Sequence, residues 1–385
     1  MAERTALVVA GAGARGAYEA GALSTLLPAM ARDGATPTLL FGTSAGALNV
    51  AALAAFANET PEVATGKLID LWRSVKLNQV ASVPKSLIGD GVQTLGLLFG
   101  GHPKVRSLLD TRRLARTVEP LIPWAQLHDN VRNGPVDAVA VATTSAATQG
   151  TVVFVEKKAS VPLPPPDTAR DIVYVETELN VEHLLASSAI PVAFRAVEVT
   201  TPATQQGWYL DGGTRLNVPI KPALAFGADR VAVVCTHPDT YPAATHRGGS
   251  EPDIASAAAH LLRAALSDSM IEDLHTLQTV NRLMAQGAHA PYRRVRFLFA
   301  GPSEDERNAI AKVAETAFDT QLHGFGAAVR NPGLWFLSRL IGGSAVDHGD
   351  LLSYLYFDPA FTGPAAELGA RHARAAAGKP LTWRL

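Results

Sequence analysis

Cysteine is almost missing from this chain: Cys235 is the one thiol among 385 residues. No internal disulfide can form, which fits a reducing compartment. Cys235 closes the apolar run Val231–Val234, so it reads as a small buried residue and not as a catalytic thiol. Excess charge is missing too. Lys and Arg total 34 against 35 Asp and Glu, a net charge of -1. Nucleic acid is therefore not an expected partner, because that affinity rests on phosphate neutralisation by a basic surface. No uninterrupted apolar stretch approaches the ~20 residues that a spanning helix needs. The opening residues, with Glu3 and Arg4 and then a short apolar run broken by glycines, do not make a signal peptide. A soluble, cytoplasmic protein is expected, with contact to a membrane from one side left open. No internal repeat is visible at solenoid periods. The histidines show no metal-ligand spacing, and neither a metal nor a cofactor is expected.

What is there is an apolar α/β pattern, with a hydrophobic fraction of 47%. Thr5–Ala10 is a continuous apolar run ending in glycines, as in a strand buried on both faces of a parallel sheet. Arg15 to Leu27 reads as a helix stopped near Pro28, Thr38–Phe41 as a second strand, and Ala45–Ala57 as an alanine-rich helix. Strand, helix, strand, helix in this order indicates right-handed crossovers in a parallel sheet. Val136–Ala142, Thr151–Val155 and Arg230–Val234 are further strands. Leu87–Gly100 is a glycine-interrupted apolar stretch, read first as a helix on the core and second as a flap or lipid-contacting surface. Val161–Pro166 is a stiff proline-rich linker. Beyond about residue 250 the spacing of Ile254, Ala258, Leu261, Leu262 and Ala265 is helical, and Ser303–Phe318 continues that character.

Three glycine-rich spots carry the chemistry. Gly42-Thr43-Ser44-Ala45-Gly46, between a strand and a helix, has the form of a sharp turn that exposes a serine nucleophile. Gly11-Ala12-Gly13-Ala14-Arg15-Gly16 lies upstream, in another strand-to-helix turn. By itself it also matches a dinucleotide-binding fingerprint. That fold wants an acidic residue closing the second strand, where this chain has Gly42-Thr43-Ser44, and Asp33 falls before the strand. The better reading is a set of backbone amides that hold an oxyanion, with Arg15 adding a cation at the mouth. Asp211-Gly212-Gly213 supplies a carboxylate on a tight turn.

A serine hydroxyl needs a base within hydrogen-bond reach. One arrangement is a triad in the order Ser44, Asp211, His237, but the α/β-hydrolase fold places several strands ahead of its nucleophile, and this chain has little room there. The other is a direct Ser44–Asp211 dyad, for which burial has to raise the basicity of the carboxylate.

Taken together, these motifs resemble the signatures of patatin-like phospholipases, in order. Ala186-Ser187-Ser188-Ala189-Ile190-Pro191 resembles the family's Ala-Ser-x-Ala-x-Pro segment, and Asn217-Val218-Pro219 and Gly227-Ala228-Asp229 also fit. The resemblance covers roughly residues 5 to 235. It implies a three-layer α/β/α fold with a mainly parallel central sheet, residues 5–240 as catalytic domain, and a helical C-terminal region over 250–385. It further implies Ser44 as nucleophile, Asp211 as its base, and Gly11, Ala12, Gly13, Ala14, Arg15 and Gly16 as the oxyanion loop. Gly42 and Gly46 would shape the elbow, and Gly212 and Gly213 the turn that aims Asp211. Ala12 departs from the family's frequent triple glycine, though a methyl group there need not block an amide donor. Asp350-Leu351-Leu352-Ser353-Tyr354 is similar to tails on bacterial relatives. The implied activity is hydrolysis of carboxylic esters in lipids, of phospholipase A or lysophospholipase type. A general esterase or thioesterase on soluble acyl groups is the alternative, and a nucleotide-binding protein the more distant one.

Overall fold

The computed structural model describes residues 3–80, 114–191, 193–241, 254–287, 292–322 and 346–385. The Leu87–Gly100 stretch lies outside the described residues. Among the described residues nine strands form one sheet: β1 Thr5–Val9, β2 Leu39–Thr43, β3 Ala138–Ser145, β4 Thr151–Lys157, β5 Ile172–Glu176, β6 Val197–Val199, β7 Gly207–Asp211, β8 Arg230–Val234 and β9 Arg296–Ala300. Described helices of seven or more residues are numbered α1 Gly16–Arg32, α2 Ala45–Ala55, α3 Pro61–Ser74, α4 Trp124–Arg132, α5 Val181–Ser187, α6 Ile254–Ala285, α7 Ala309–Leu322, α8 Val346–Leu355 and α9 Pro359–His372.

The strand order is β5-β4-β3-β2-β1-β8-β9, with β7 pairing β3 and β6. From β3 to β9 along that order all pairs are parallel, whereas β4 and β7 run antiparallel to β3. Alternation along the central strands feeds two cores, as the period of two requires. Leu7 and Val9 of β1 join Tyr18 and Leu23 of α1 and Phe361 of α9. Ala6 and Val8 face the other way, into a core with Met270 and Ile271 of α6. Helices therefore cover both faces of a mainly parallel sheet, and the three-layer α/β/α fold with a helical C-terminal region stands.

Two departures from the sequence reading are instructive. Pro28 does not stop α1, which runs on to Arg32. A proline inside a helix costs about 3 kcal/mol, but α1 is buried along most of its length, and packing outweighs that cost. Gly21 of α1 and Gly369 of α9 let the two helices touch: a β-carbon on either would overlap a backbone carbonyl of the other. The second departure is β9, a strand inside the region read as helical. It pairs in parallel with β8, so the C-terminal region extends the sheet as well as covering it.

Candidate active site

Strand β3 brings two distant segments together. Its residue Ala142 pairs with Thr43 of β2, and the next residue, Thr143, pairs with Asp211 of β7. The opposite edge of β3 is occupied by β4 as far as Thr144. Strand β7 must therefore lie on the same edge as β2, just past the end of β2. Ser44 follows Thr43 directly, so the register alone sets Ser44 beside Asp211.

Ser44 has φ 53 and ψ -122, a strained backbone for a residue with a β-carbon. The turn is possible because its flanks are bare. A β-carbon on Gly46 would overlap the carbonyls of Val9 and Ala10, and one on Gly42 the carbonyl of Gly46. The Ser44 amide donates to Ser187 Oγ at 2.8 Å, and that hydroxyl donates to the Ala142 carbonyl at 2.6 Å. Ser187, at the end of α5, thus fastens the elbow to β3. This gives the Ala-Ser segment a physical role that the sequence motif did not reveal.

Asp211 is 5% exposed and held at each polar backbone atom. Its amide donates to the Ala189 carbonyl at 2.9 Å, and its carbonyl accepts from Thr144 Oγ1 at 3.0 Å. Its Oδ1 accepts from the Gly213 amide at 2.6 Å. Gly212 has to be bare, since a β-carbon there would overlap the Ala142 carbonyl. Burial pushes the Asp211 carboxyl up to about 7, against the opposing effect of the neighbouring Ser44 hydroxyl and of the bond from Gly213. A carboxylate of that basicity is a far better proton acceptor than an ordinary one near ~4.

The glycine turn runs alongside. A β-carbon on Gly11 would stand 3.2 Å from Ser44 Cβ. The amides of this loop are not equivalent. Gly11 donates to the Asn217 carbonyl at 3.0 Å, Arg15 to the Ala12 carbonyl at 3.0 Å, and Gly16 to the Gly13 and Ala14 carbonyls. Ala12, Gly13 and Ala14 sit where a helical segment begins, and N–H groups there have no partner within the helix. Gly13 takes φ 54, which only glycine adopts at no cost.

Arg15 stands elsewhere than its position in the motif suggested. Its guanidinium is 2% exposed and is spent on the C-terminal region. It forms an ion pair with Asp350 and reaches the Asp350 carbonyl at 3.0 Å, Ser353 Oγ at 2.7 Å and the Tyr354 hydroxyl at 3.1 Å. The expected free cation at the mouth of the turn is therefore a tether that ties the loop to α8. A β-carbon on Gly13 would overlap the Tyr354 carbonyl, so α8 lies directly against the turn.

His237 has a partner of its own, bonding through Nε2 to the Tyr354 hydroxyl at 2.7 Å. Burial, reinforced by Arg15, pushes its imidazole down to about 3, so it is neutral and a weak base. His183 caps α5: its Nδ1 accepts from the Asn180 amide at 3.1 Å, and its Nε2 meets the Thr201 carbonyl at 2.7 Å. Cys235 is buried, and burial pushes its thiol up to about 12, the mark of an inert core residue.

The sequence model of the patatin-like phospholipase family matches residues 7–224, more than half of the chain. This chain belongs to the patatin-like phospholipase family. As a patatin-like phospholipase it is a lipid acyl hydrolase, acting on lipid esters. No curated protein matches it. Among solved structures, VipD from Legionella pneumophila is 12% identical, over 97% of this chain and 88% of that one, with a TM-score of 0.31. The matched span covers Ser44, Asp211 and the glycine turn of the patatin-like chain, and it ends before α6 and α8. Both of these helices nevertheless touch the site, α8 through Arg15 and α6 through Leu266, whose carbonyl accepts from Asn217 Nδ2 at 2.9 Å. The Asp350–Tyr354 segment noted in the sequence holds the partners of Arg15, whereas no local motif marks Leu266.

Proposed function

We propose that the chain is a phospholipase A or lysophospholipase-type hydrolase in which Ser44 is the nucleophile, Asp211 its base, and the amides of Ala12, Gly13 and Ala14 the oxyanion donors. The observation that carries the reading is the strand register that sets Ser44 beside a buried Asp211 carboxylate, whose proton affinity burial raises to about 7. In the first half-reaction Asp211 accepts the Ser44 proton as Oγ bonds to the ester carbonyl carbon. The carbonyl π electrons move to oxygen, where the loop amides meet them. Collapse of this intermediate expels the alcohol portion of the lipid, which takes the proton from Asp211. Water, deprotonated by the same carboxylate, then releases the fatty acid from acyl-Ser44. Each oxyanion donor is worth on the order of 3 kcal/mol of barrier.

The catalytic part in this reading is residues 5–240, and the C-terminal region over 250–385 is packed on it and supports the glycine turn. An acyl chain has to be drawn from a lipid aggregate, so contact with a membrane surface from one side belongs to the same proposal. No described helix is long and apolar enough to cross a membrane. Fatty-acid release from phospholipid and lysophospholipid micelles, set against a monomeric short-chain ester, tests the substrate class. Faster turnover of the aggregated lipids, lost in Asp211→Asn, is expected. Turnover confined to the soluble ester would favour a general esterase.

A further inference from the structure

Strand β8 pairs with β1 as far as Val234 and Val9, so the residues that follow the two strands leave the sheet side by side. After β1 comes the glycine turn, and after β8 comes His237. A single side chain from α8 joins them. Tyr354 is buried, and its hydroxyl lies 3.1 Å from Arg15 Nη1 and 2.7 Å from His237 Nε2. A guanidinium has no acceptor, so Arg15 donates to the phenol oxygen. The phenol proton is left to point at His237 Nε2, and the imidazole, kept uncharged by burial, accepts it. The turn is thereby referred to the sheet through one hydroxyl.

Tyr354 also acts through its backbone and its ring. Its carbonyl lies so close to Gly13 that a β-carbon there would overlap it. The Arg15 guanidinium lies over its ring, with Cζ 3.9 Å from the centroid. Ser353 Oγ and Asp350 hold the other two nitrogens of Arg15. The Arg15 amide closes the turn on the Ala12 carbonyl, so a fixed side chain fixes the path from Ala12 to Arg15. Attachment of α8 does not require this network. Leu352 of α8, and Tyr356 and Phe357 just beyond it, already seat the helix in the apolar core. Buried ionic groups are a costly way to add stability, and their better use is to select one arrangement.

We infer that Tyr354 is a positioning residue of the oxyanion loop: its hydroxyl, anchored on His237, and its carbonyl, set against Gly13, hold the amides of Ala12, Gly13 and Ala14 in place before substrate binds. The inference rests on the Ser44–Asp211 reading and the oxyanion donors given above. Donors fixed in advance meet charge only as it develops. Their misalignment raises the barrier and leaves binding of the ground state alone. The part played by Tyr354 is geometric, and its proton stays on His237 Nε2's side of the hydroxyl throughout turnover. His237 becomes the anchor of the loop and not a base.

Tyr354→Phe keeps the ring and the carbonyl and removes only the hydroxyl. On a soluble nitrophenyl ester its kcat should fall on the order of tenfold, with KM within about twofold of wild type. An alkyl trifluoromethyl ketone, which forms a tetrahedral oxyanion on Ser44, should bind more weakly by the same factor. The corresponding alcohol forms no oxyanion and should bind as it does to wild type. The rising limb near pH 7 should remain, because Asp211 is unchanged. His237→Phe should show the same pattern, and the double variant should be no worse than Tyr354→Phe alone, since the two residues act as one unit. An unchanged kcat, or equal weakening of ketone and alcohol, would leave Tyr354 a fastening for α8 and overturn the inference. Should Tyr354→Phe fail to fold, Ser353→Ala removes a different bond of the same guanidinium and is read in the same way. A His237→Phe enzyme far slower than Tyr354→Phe, with the limb near pH 7 lost, would make His237 the base and remove the dyad reading itself.

Discussion

Arg15, in the glycine turn, and Asp350, on α8, form a buried ion pair across 335 positions of sequence. Burial alone would raise the Asp350 carboxyl, but Arg15 and Arg263 hold it well below the usual carboxylate range. Both partners are charged, and the C-terminal region is thereby fastened to the loop that lies beside Ser44.

Asp350→Ala leaves a guanidinium buried without its counter-charge, a change that costs about 3–5 kcal/mol. Thermal denaturation at neutral pH should show that loss. The depressed carboxyl stabilises the fold above the unfolded value near ~4 and loses that contribution as pH falls below it. Wild-type stability should drop steeply on acidification, and Asp350→Ala should be less sensitive over the same range. An unchanged melting temperature would mean that the pair contributes nothing.

Asp211 is raised, and its signs run the other way. Ionisation of the base should give kcat/KM a rising limb centred near pH 7. Asp211→Asn should abolish that limb along with a factor of about 10²–10⁴ in rate. The same raised value favours folding below the unfolded value near ~4 and loses that contribution as pH rises to about 7. Asp211→Asn should therefore be more stable than wild type at pH 8, with little difference at pH 4. Urea titrations at the two pH values check this.

The strained elbow predicts a stability order. Ser44→Gly removes the β-carbon from a φ of 53, while Ser44→Ala retains it. The glycine variant should be the more stable of the two by about 1 kcal/mol. Both should be inactive. Differential scanning calorimetry of the pair reads the difference without reference to catalysis.

Ser187→Ala leaves the Ser44 amide and the Ala142 carbonyl without their shared partner. A loss of about 1–3 kcal/mol is expected from the unsatisfied buried groups. Because the elbow is released and the chemistry is not, kcat should fall more than KM rises. Steady-state kinetics on a soluble ester separates the two.

The legible parts of the chain were those in which neighbours in sequence share one physical task. Strand β8 stood out because Val231–Val234 is a continuous apolar run, and Ser44 because Gly42 and Gly46 flank it. Strand β9 was hidden because its apolar stretch is short and lies in a region of helical spacing. Strand β7 was hidden because it is half-exposed and lacks such a run. Local propensity ends α1 at Pro28, whereas contact with α9 carries the helix on to Arg32. The partner of Arg15, Asp350, is chosen by tertiary packing. The same holds for Asn217 and Leu266. A motif shows which residues stand together and not which distant helix completes them.

Covalent labelling with a lipid-like fluorophosphonate, read by intact mass and peptide mapping, tests the Ser44–Asp211 mechanism most directly. Wild type should take one equivalent at Ser44, Ser44→Ala none, and Asp211→Asn should label far more slowly. Stoichiometric labelling that survives Ser44→Ala would contradict the account.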